Sequence, residues 1–282
     1  MKHAWENVMG LGVAGNFTGH LEQAGEASDF VGVTTAEAKA PKGVFPFYVP
    51  AGEAAPEPGH FLHQMPISSS TIRLNRGHEN HQIEPEMALL CDLTYAGTQV
   101  VDIVPRFAMA HNDCSIRREG ARKISEKKNW GADSKGTSTQ WIALDRFAPG
   151  GVLDRFRLTC FLEREGVLHP YGVDSPVRNY SYIYGQLVEW LKDRLNTQSD
   201  HGPLEDLPLW LAAADYPRQA LISVGATRYT PFGASHYLAV GDRSIVMLYD
   251  ETQYYGEAVK TIARNGVATE LPGISLLDQQ VV

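Results

Sequence analysis

Residues 80–93 read NHQIEPEMALLCDL, and this run yields predictions for both a strand and a site. A short apolar run of this kind predicts a strand over residues 84–93. Side chains repeat with a period of two along a strand, so Glu84 and Glu86 project from the same face. Two carboxylates this close repel each other, and either one takes up a proton or a cation lies between them. A solvated strand face is the alternative interpretation of a Glu-x-Glu pattern.

Further strands are predicted wherever β-branched and aromatic residues form short runs. These runs are residues 71–74, 98–104, 155–162, 220–226 and 244–249. One helix is predicted over residues 176–196, with Ser175 as N-cap and Pro176 in the first helical position. A second, weaker helix is predicted near Phe17. Many strands with few helices predict an α+β, mostly β fold rather than a series of βαβ units.

The chain length of 282 residues suits one large domain or two small ones. We predict an N-terminal portion, residues 1–60, that packs on a main domain of residues 61–282. Between them lies AGEAAPEPG, residues 51–59. Its composition is typical of a hinge between portions and equally of a surface loop.

The overall charge and the cysteines exclude several classes of protein. The net charge is −8, with 33 acidic against 25 basic residues, and this balance disfavours a nucleic-acid partner. Cys91, Cys114 and Cys160 lie far apart, without the spacing of a zinc site or a disulfide framework. No apolar leader and no run of 18 apolar residues is present, so we expect no membrane partner and a soluble, cytoplasmic protein.

A third acidic position follows an apolar run at residues 108–115, AMAHNDCS. An Asp in the position of Asp113 often caps a turn or a helix, and this alternative stays open. If Asp113 instead joined Glu84 and Glu86, the three carboxylates would leave metal positions open for water and substrate. All-oxygen sites of this kind suit Mg²⁺, Mn²⁺ and Ca²⁺.

Three glycines, Gly10, Gly12 and Gly15, form a literal GxGxxG. A dinucleotide-binding turn needs a hydrophobic strand before this pattern, and the residues before Gly10 are too polar for one. A nucleotide-binding oxidoreductase is therefore a minor alternative, and a strand with a turn is the preferred interpretation.

In chain order these segments resemble the fumarylacetoacetate hydrolase superfamily, over roughly residues 8–250. The Glu-Pro-Glu form is particularly similar to the hydratase and decarboxylase branch that acts on 2-oxo or 2-hydroxydienoic acids. The matching segments are Gly15-Asn16-Phe17-Thr18-Gly19-His20, Glu84-Pro85-Glu86-Met87-Ala88, Asn112-Asp113 with Ser115 and Arg117, Lys135-Gly136, and Gly225-Ala226-Thr227.

The resemblance implies a mixed β-roll with peripheral helices, usually a homodimer. It implies a site in which Glu84, Glu86 and Asp113 hold Mg²⁺ or Mn²⁺, with Ca²⁺ as a substitute in a crystal. It also implies catalytic roles for His20 and Lys135, and we predict Glu22 as the carboxylate partner of His20. Substrate contacts are implied for four further residues, which are Asn16, Phe17, Arg117 and Thr227.

The sequence departs from the family pattern at three positions. Gln23 replaces the glutamate that follows the histidine by three residues, Val49 replaces a lysine, and the Pro after Thr227 is missing. The leading hypothesis is a metal-dependent hydrolase or lyase for a small 2-oxo acid or 1,3-dicarbonyl compound. Carbon–carbon bond hydrolysis, decarboxylation and hydration through a metal-stabilised enolate all stay open. The alternative is a catalytically degenerate, ligand-binding protein of the same fold.

Overall fold

The structure is a computed structural model, and it describes residues 5–30, 32–33, 35, 37–52, 60–75, 77, 79–118, 120–266 and 271–282. Residues 53–59 of the predicted hinge loop lie outside the described residues. The strands are β1 (Met9–Ala14), β2 (Gly43–Tyr48), β3 (Ile67–Ser68), β4 (Thr71–Ile72), β5 (Asn80–Gln82), β6 (Pro85–Ala96), β7 (Gln99–Asn112), β8 (Ser115–Arg117), β9 (Lys135–Thr137), β10 (Ile142–Ala143), β11 (Phe156–Arg164), β12 (Val167–Pro176), β13 (Gln219–Ser223), β14 (Arg243–Asp250) and β15 (Ile274–Val281). The helices are α1 (His20–Ala24), α2 (Tyr184–Thr197), α3 (Leu207–Ala213), α4 (Pro231–Ser235) and α5 (Glu257–Asn265).

Within the described residues, the strands form three sheets. The main sheet has the order β2-β1-β13-β6-β7-β9-β3, and β10 pairs with β7. The second sheet has the order β12-β11-β14-β15-β4, and β5 pairs with β8 in a separate ribbon. Strands β1 and β2 belong to residues 1–60 and are part of the main sheet, where β1 runs parallel to β13. The prediction of an α+β, mostly β fold is confirmed.

The main apolar core combines side chains of both large sheets. Met87 and Ala110 of the main sheet belong to the same buried cluster as Leu158, Val246 and Leu277 of the second sheet. A sheet that carries apolar residues on one face must bury that face against another layer, and here each sheet covers the other. Among the described residues, no helix has the length and apolar character to cross a bilayer.

The predicted long helix begins later than its sequence pattern indicates. Ser175 and Pro176 still belong to β12, where they pair with β11, and the hydroxyl of Ser175 donates to the carbonyl of Val173 instead of capping a helix. A short 3₁₀ turn follows at Val177–Asn179, and α2 begins at Tyr184. Pairing with β11 thus places in a strand the two residues that local capping preferences assign to the start of a helix. The weaker predicted helix is the five-residue α1.

The glycines of the GxGxxG pattern have a packing role in β1. A Cβ atom on Gly10 would lie 2.2 Å from the ring of Phe47, and one on Gly12 would lie 2.2 Å from the ring of Phe45. Both rings belong to β2, the antiparallel neighbour of β1. Glycine in a strand often marks such a close approach, so these residues make room for two aromatic rings.

Candidate metal centre and active site

The hairpin of β6 and β7 brings the three predicted carboxylates together. Its register pairs Pro85 with Asn112, so Glu84 directly precedes one strand where Asp113 directly follows the other. The amide of Asp113 donates to the carbonyl of Glu84 at 3.0 Å, which extends the ladder by one step. One ligand atom from each of Glu84, Glu86 and Asp113 lies within 4.8 Å of the others, and all three residues are buried.

Cations contact two of these carboxylates directly. The ammonium nitrogen of Lys128 lies 2.5 Å from Glu84 Oε2 and 2.6 Å from Asp113 Oδ2. Lys135 Nζ lies 2.7 Å from Asp113 Oδ1, and Arg117 Nη1 lies 2.9 Å from Glu84 Oε1. These side chains are at most 9% exposed, so each charge is largely removed from water.

A fourth carboxylate completes the group. Glu26 Oε1 lies 2.7 Å from Arg117 Nη1 and 2.8 Å from Lys127 Nζ. Because a buried charge is costly without a partner, the ion pairs that Glu26, Glu84 and Asp113 form with these bases make such burial feasible. We refer to these residues as the buried cluster, whose acids are Glu26, Glu84, Glu86 and Asp113 and whose bases are Arg117, Lys127, Lys128 and Lys135.

The two glutamates of the hairpin have opposite electrostatic environments. Burial opposes ionisation of Glu84, but Lys128 and Arg117 outweigh it and lower the pKa of Glu84 to about 2. Burial, together with the charges of Asp113 and Glu84, raises the pKa of Glu86 well above its usual range. Two nearby carboxylates whose pKa values are driven apart are typical of functional sites.

The turn after β13 supports Glu86. The amide of Gly225 donates to Glu86 Oε2 at 2.8 Å, and Gly225 has φ 115°, which favours glycine. The neighbouring Ala226 lines the same cavity as the carboxylates. The carbonyl of Thr227 accepts from the ring of His20, so this predicted substrate residue acts through its backbone.

His20 is buried at the start of α1 and lines the cavity with the three carboxylates. Its Nδ1 lies 2.9 Å from the carbonyl oxygen of Thr227. A carbonyl only accepts, so Nδ1 carries the proton and the neutral ring keeps a lone pair on Nε2. Nε2 has no hydrogen-bond partner among the described residues, and burial lowers the pKa of His20. The neutral ring therefore keeps an unpaired Nε2 in the cavity that the three carboxylates line.

In the segment that contains α1, the acidic residue that reaches the cavity of His20 is Glu26 rather than the predicted Glu22. Glu22 is exposed on α1, whereas Glu26 is buried and lines the cavity. The helix ends at Gly25, with φ 72°, and the amide of Glu26 bonds back to the carbonyl of Leu21. This glycine turn returns the chain to the cavity, because the left-handed residue reverses its direction.

Both polar atoms of the Gln23 side chain form hydrogen bonds with the backbone of Tyr229. Its amide nitrogen donates to the carbonyl of Tyr229 at 3.3 Å, and its oxygen accepts from the amide of Tyr229 at 2.9 Å. A glutamate could not make the first of these bonds. The residue that replaces the family glutamate therefore links α1 to the segment that follows β13.

Asn16 and Phe17, which were predicted to contact substrate, are engaged within the protein. The Asn16 amide donates to the carbonyls of Tyr182 and Val224 and accepts from the amide of Tyr182, at 2.7–2.9 Å. Phe17 packs edge-to-face on Tyr180, with ring centroids 5.5 Å apart. These contacts fix the end of β1 and with it the position of α1.

The predicted Lys135 and Arg117 both lie in the buried cluster. Lys135 is fully buried behind Asp113, where its ammonium also donates to the carbonyl of Cys114 at 2.8 Å. Arg117 additionally donates to Gln82 at 2.6 Å and to the hydroxyl of Tyr229 at 2.8 Å. The guanidinium thus links Glu26 and Glu84 to Gln82 and Tyr229, and these contacts fix its orientation.

Two adjoining cavities surround these side chains. The inner cavity, at the three carboxylates and His20, has a volume of about 20 Å³, which is room for about one water molecule. An outer polar basin of about 520 Å³ is lined by Arg117, Arg118 and Tyr237 among others. Glu26 and Lys127 line both spaces, so their ion pair forms the partition between them.

The three carboxylates fit a hard divalent ion in chemical type and in spacing. Mg²⁺, Mn²⁺ and Ca²⁺ prefer oxygen ligands, and atoms within 4.8 Å of one another can surround one ion. The volume of the inner cavity suits an ion of this size. Glu84, Glu86 and Asp113 are the residues that would hold it.

The sequence patterns gave no indication of Lys128 and did not assign Glu26 to the site. Lys127 ends the 3₁₀ turn at Ile124–Lys127, Lys128 directly follows it, and both are buried. A Lys-Lys pair is usually solvated, so its burial between Ile124 and Trp130 is not evident from spacing. The one available signal was Gly25, a helix-ending residue directly before Glu26.

Comparisons with known proteins identify a family and a fold. A family of unknown function, DUF5718, matches residues 26–281. No curated protein matches the chain.

Solved structures match nearly the whole chain at low identity. A putative fumarylacetoacetate hydrolase family protein from Yersinia pestis CO92 is 13% identical, with 98% of this chain and 94% of that chain covered and a TM-score of 0.52. A putative fumarylacetoacetate isomerase/hydrolase from Oleispira antarctica is 14% identical, with 98% and 93% covered and a TM-score of 0.50. A 2-keto-3-deoxyarabinonate dehydratase is 12% identical, with 97% and 72% covered and a TM-score of 0.50.

Identities this low establish a shared fold and leave the activity open. The likeness agrees with the mostly β architecture already described. The chain belongs to the family of unknown function DUF5718, and its fold is that of the fumarylacetoacetate hydrolase family.

Proposed function

We propose that this protein is a divalent-metal-dependent enzyme that acts on a small 2-oxo acid or 1,3-dicarbonyl compound. The observation that carries the proposal is the meeting of Glu84, Glu86 and Asp113 beside the unpaired Nε2 of His20. Mg²⁺ or Mn²⁺ bound to the carboxylates supplies Lewis-acid chemistry, the polarisation of a carbonyl oxygen. The dehydratase of similar fold is named for a 2-keto acid, which supports this substrate class.

His20 is the proposed general base. The carbonyl of Thr227 fixes its tautomer and orientation, so Nε2 is free to take a proton from water or from the carbon next to a substrate carbonyl. Because burial lowers the pKa of His20 below its ordinary 6.5, the ring is neutral at pH 7. We expect the proton-transfer rate to fall as the solution becomes acidic enough to protonate Nε2.

Lys135 and Arg117 have positioning roles in this proposal. Lys135 holds Asp113 from behind, and Arg117 holds Glu84. The outer basin, with Arg117, Arg118 and Lys127 among its lining residues, is the proposed place for a substrate carboxylate, since guanidinium groups suit planar anions. An oxo acid that reaches the carboxylates must pass the Glu26–Lys127 pair.

A second candidate is a ligand-binding protein without turnover. The observation that favours it is the bonding of His20, whose Nδ1 meets a backbone carbonyl instead of a carboxylate, while Gln23 is bound to Tyr229. A carboxylate partner would raise the basicity of the ring, and a carbonyl does so less.

An activity screen distinguishes the two candidates. Oxaloacetate, acylpyruvates and 2-hydroxydienoates are incubated with protein and Mn²⁺, and products are followed by absorbance and mass spectrometry. For any compound turned over, we expect Asp113→Asn to lower kcat/KM at least about 100-fold, since even the residues that orient metal ligands often contribute 10–100-fold. Asp102→Asn is the matched control, because Asp102 is exposed on the same strand.

Turnover of one compound that Asp113→Asn abolishes and Asp102→Asn leaves intact supports the enzyme. Binding of these compounds without turnover at any Mn²⁺ or Mg²⁺ concentration contradicts it and supports the ligand-binding protein.

A further inference from the structure

The ammonium of Lys128 lies where a divalent ion bound to Glu84 and Asp113 would lie. Its Nζ lies 2.5 Å from Glu84 Oε2 and 2.6 Å from Asp113 Oδ2. Oxygen–metal bonds for Ca²⁺ are about 2.3–2.6 Å, and those for Mg²⁺ are about 2.0–2.1 Å. The ammonium therefore stands at nearly the ligation distance from the same oxygens.

The contacts of Lys128 satisfy an ammonium group. Besides the two carboxylates, Nζ lies 3.4 Å from the carbonyl oxygen of Asp113, which gives an acceptor for each of its three N–H groups. The ammonium also lies 5.4 Å from the ring centre of Phe45, at a distance typical of a cation–π contact. The side chain is only 3% exposed.

The backbone beside Lys128 is fixed. The side-chain amide of Asn129 donates to the carbonyls of Phe47, Phe61 and Gln64, at 2.8–3.2 Å. Its oxygen accepts from the amide of Gly131 at 2.9 Å. A lysine held in this way by its neighbour needs little ordering to reach Glu84 and Asp113.

We propose that Lys128 is a resident counter-ion that competes with divalent ions for Glu84 and Asp113 and so sets the metal affinity of the site. The inference rests on the proposed function, and it adds a residue that controls how tightly the site binds its metal ion. Nζ already contacts Glu84 Oε2 and Asp113 Oδ2, so a divalent ion binds these two oxygens only when the Lys128 ammonium withdraws from them. Lys128 itself lines the inner cavity of about 20 Å³, so its ammonium is a direct neighbour of any ion held there.

The test measures Mn²⁺ binding by electron paramagnetic resonance of the free ion, together with the Mn²⁺-induced shift in Tm. The proteins are wild type, Lys128→Met, Lys128→Gln and the control Lys127→Met, which removes an equal charge that contacts Glu26 instead. We expect Lys128→Met and Lys128→Gln to bind Mn²⁺ at least about tenfold more tightly than wild type. We expect Lys127→Met to change the affinity less than about threefold.

The variants are also expected to differ in thermal behaviour. Without metal, Lys128→Met removes one of the two cationic partners of both Glu84 and Asp113 and lowers Tm. Mn²⁺ restores it, since a ligand that binds the folded state stabilises it. Mn²⁺ affects the Tm of wild type less. Adding Glu86→Ala to Lys128→Met is expected to remove the gained affinity.

Equal or weaker Mn²⁺ binding by both Lys128 variants would overturn the inference. If wild type binds as tightly as they do, the inference fails while the proposed function stands. If the variants gain Mn²⁺ binding but wild type turns over none of the oxo acids, the proposed function fails while the inference stands.

Discussion

Two groups of ion pairs in this protein have similar bond lengths and different surroundings. In the buried cluster, Lys135 lies 2.7 Å from Asp113, and both side chains are at most 1% exposed. A peripheral cluster on the second sheet consists of Arg243, Glu163 and Asp278, where Arg243 lies 2.6–2.7 Å from both acids. There the side chains are 19–32% exposed.

The comparison shows that burial, rather than distance, determines what each pair does. In the buried cluster a lost partner leaves a charge in a poorly solvated space, which is strongly unfavourable. In the peripheral cluster water and salt replace a lost partner. Arg243 also donates to the carbonyls of Ala263 and Arg264 at the end of α5, so its function is to attach that helix.

The largest expected effect is that of Lys135→Met. The change removes one of the two cationic partners of Asp113 and leaves the carbonyl of Cys114 without the ammonium donor. Breaking a buried pair from one side typically costs about 3–5 kcal/mol, so we expect a loss of this size in the free energy of unfolding. Urea denaturation followed by circular dichroism measures it, with Lys192→Met as control, because the Lys192 side chain on α2 is 31% exposed. A loss below about 1 kcal/mol would place the buried cluster with ordinary surface pairs.

The next effect concerns Glu205, a buried carboxylate outside both clusters. Burial raises its pKa to about 7, although Ser125 and Lys123 act in the opposite direction. The folded state therefore keeps a proton that the unfolded state loses above its own pKa near 4.5. Stability from this group is complete below pH 4.5 and declines as the pH rises to about 7.

Glu205→Gln removes this pH dependence. At 1.36 kcal/mol per pKa unit, we expect the variant to be more stable than wild type by up to about 3 kcal/mol at pH 8.5. The gain should vanish below about pH 4.5, where both states of the wild type are protonated. Tm measured from pH 4 to 9 tests this, and a constant difference across that range would contradict it.

The smallest effect is expected for Arg243→Met. Exposed pairs contribute about 0–1 kcal/mol each, and so we expect a loss of about 1 kcal/mol that shrinks in 1 M salt. Urea denaturation at low and high salt measures both quantities. A loss as large as that of Lys135→Met would remove the contrast between the two clusters.

The sequence was sufficient for features that depend on short-range periodicity. Alternation placed Glu84 and Glu86 on one strand face, and the apolar run before Asp113 is the neighbouring strand, so the hairpin register completes the set. Strands β6, β7, β11, β13 and β14 were predicted for the same reason, since the pattern of buried residues is local, whereas β2, β12 and β15 were not predicted.

Features that depend on turns and long-range contacts were not predictable. Helix α2 begins at Tyr184 rather than at the predicted Pro176, because the residues up to Pro176 pair with β11. Glu26 reaches the cavity through a turn at Gly25, and Lys128 through a segment pinned by Asn129. None of these three features has a periodic sequence signature, because each depends on contacts with backbone groups that are distant along the chain.

The parallel pairing of β1 with β13 also affects the order in which the contacts of the site form during folding. Lys128 is only 15 residues from Asp113 and 44 from Glu84, whereas His20 meets Thr227 across 207 residues. Contacts between distant residues require closure of long loops and form late. A folding chain is therefore expected to pair its acidic hairpin with Lys128 well before His20 joins the site, so that the contact between α1 and the segment after β13 is completed last.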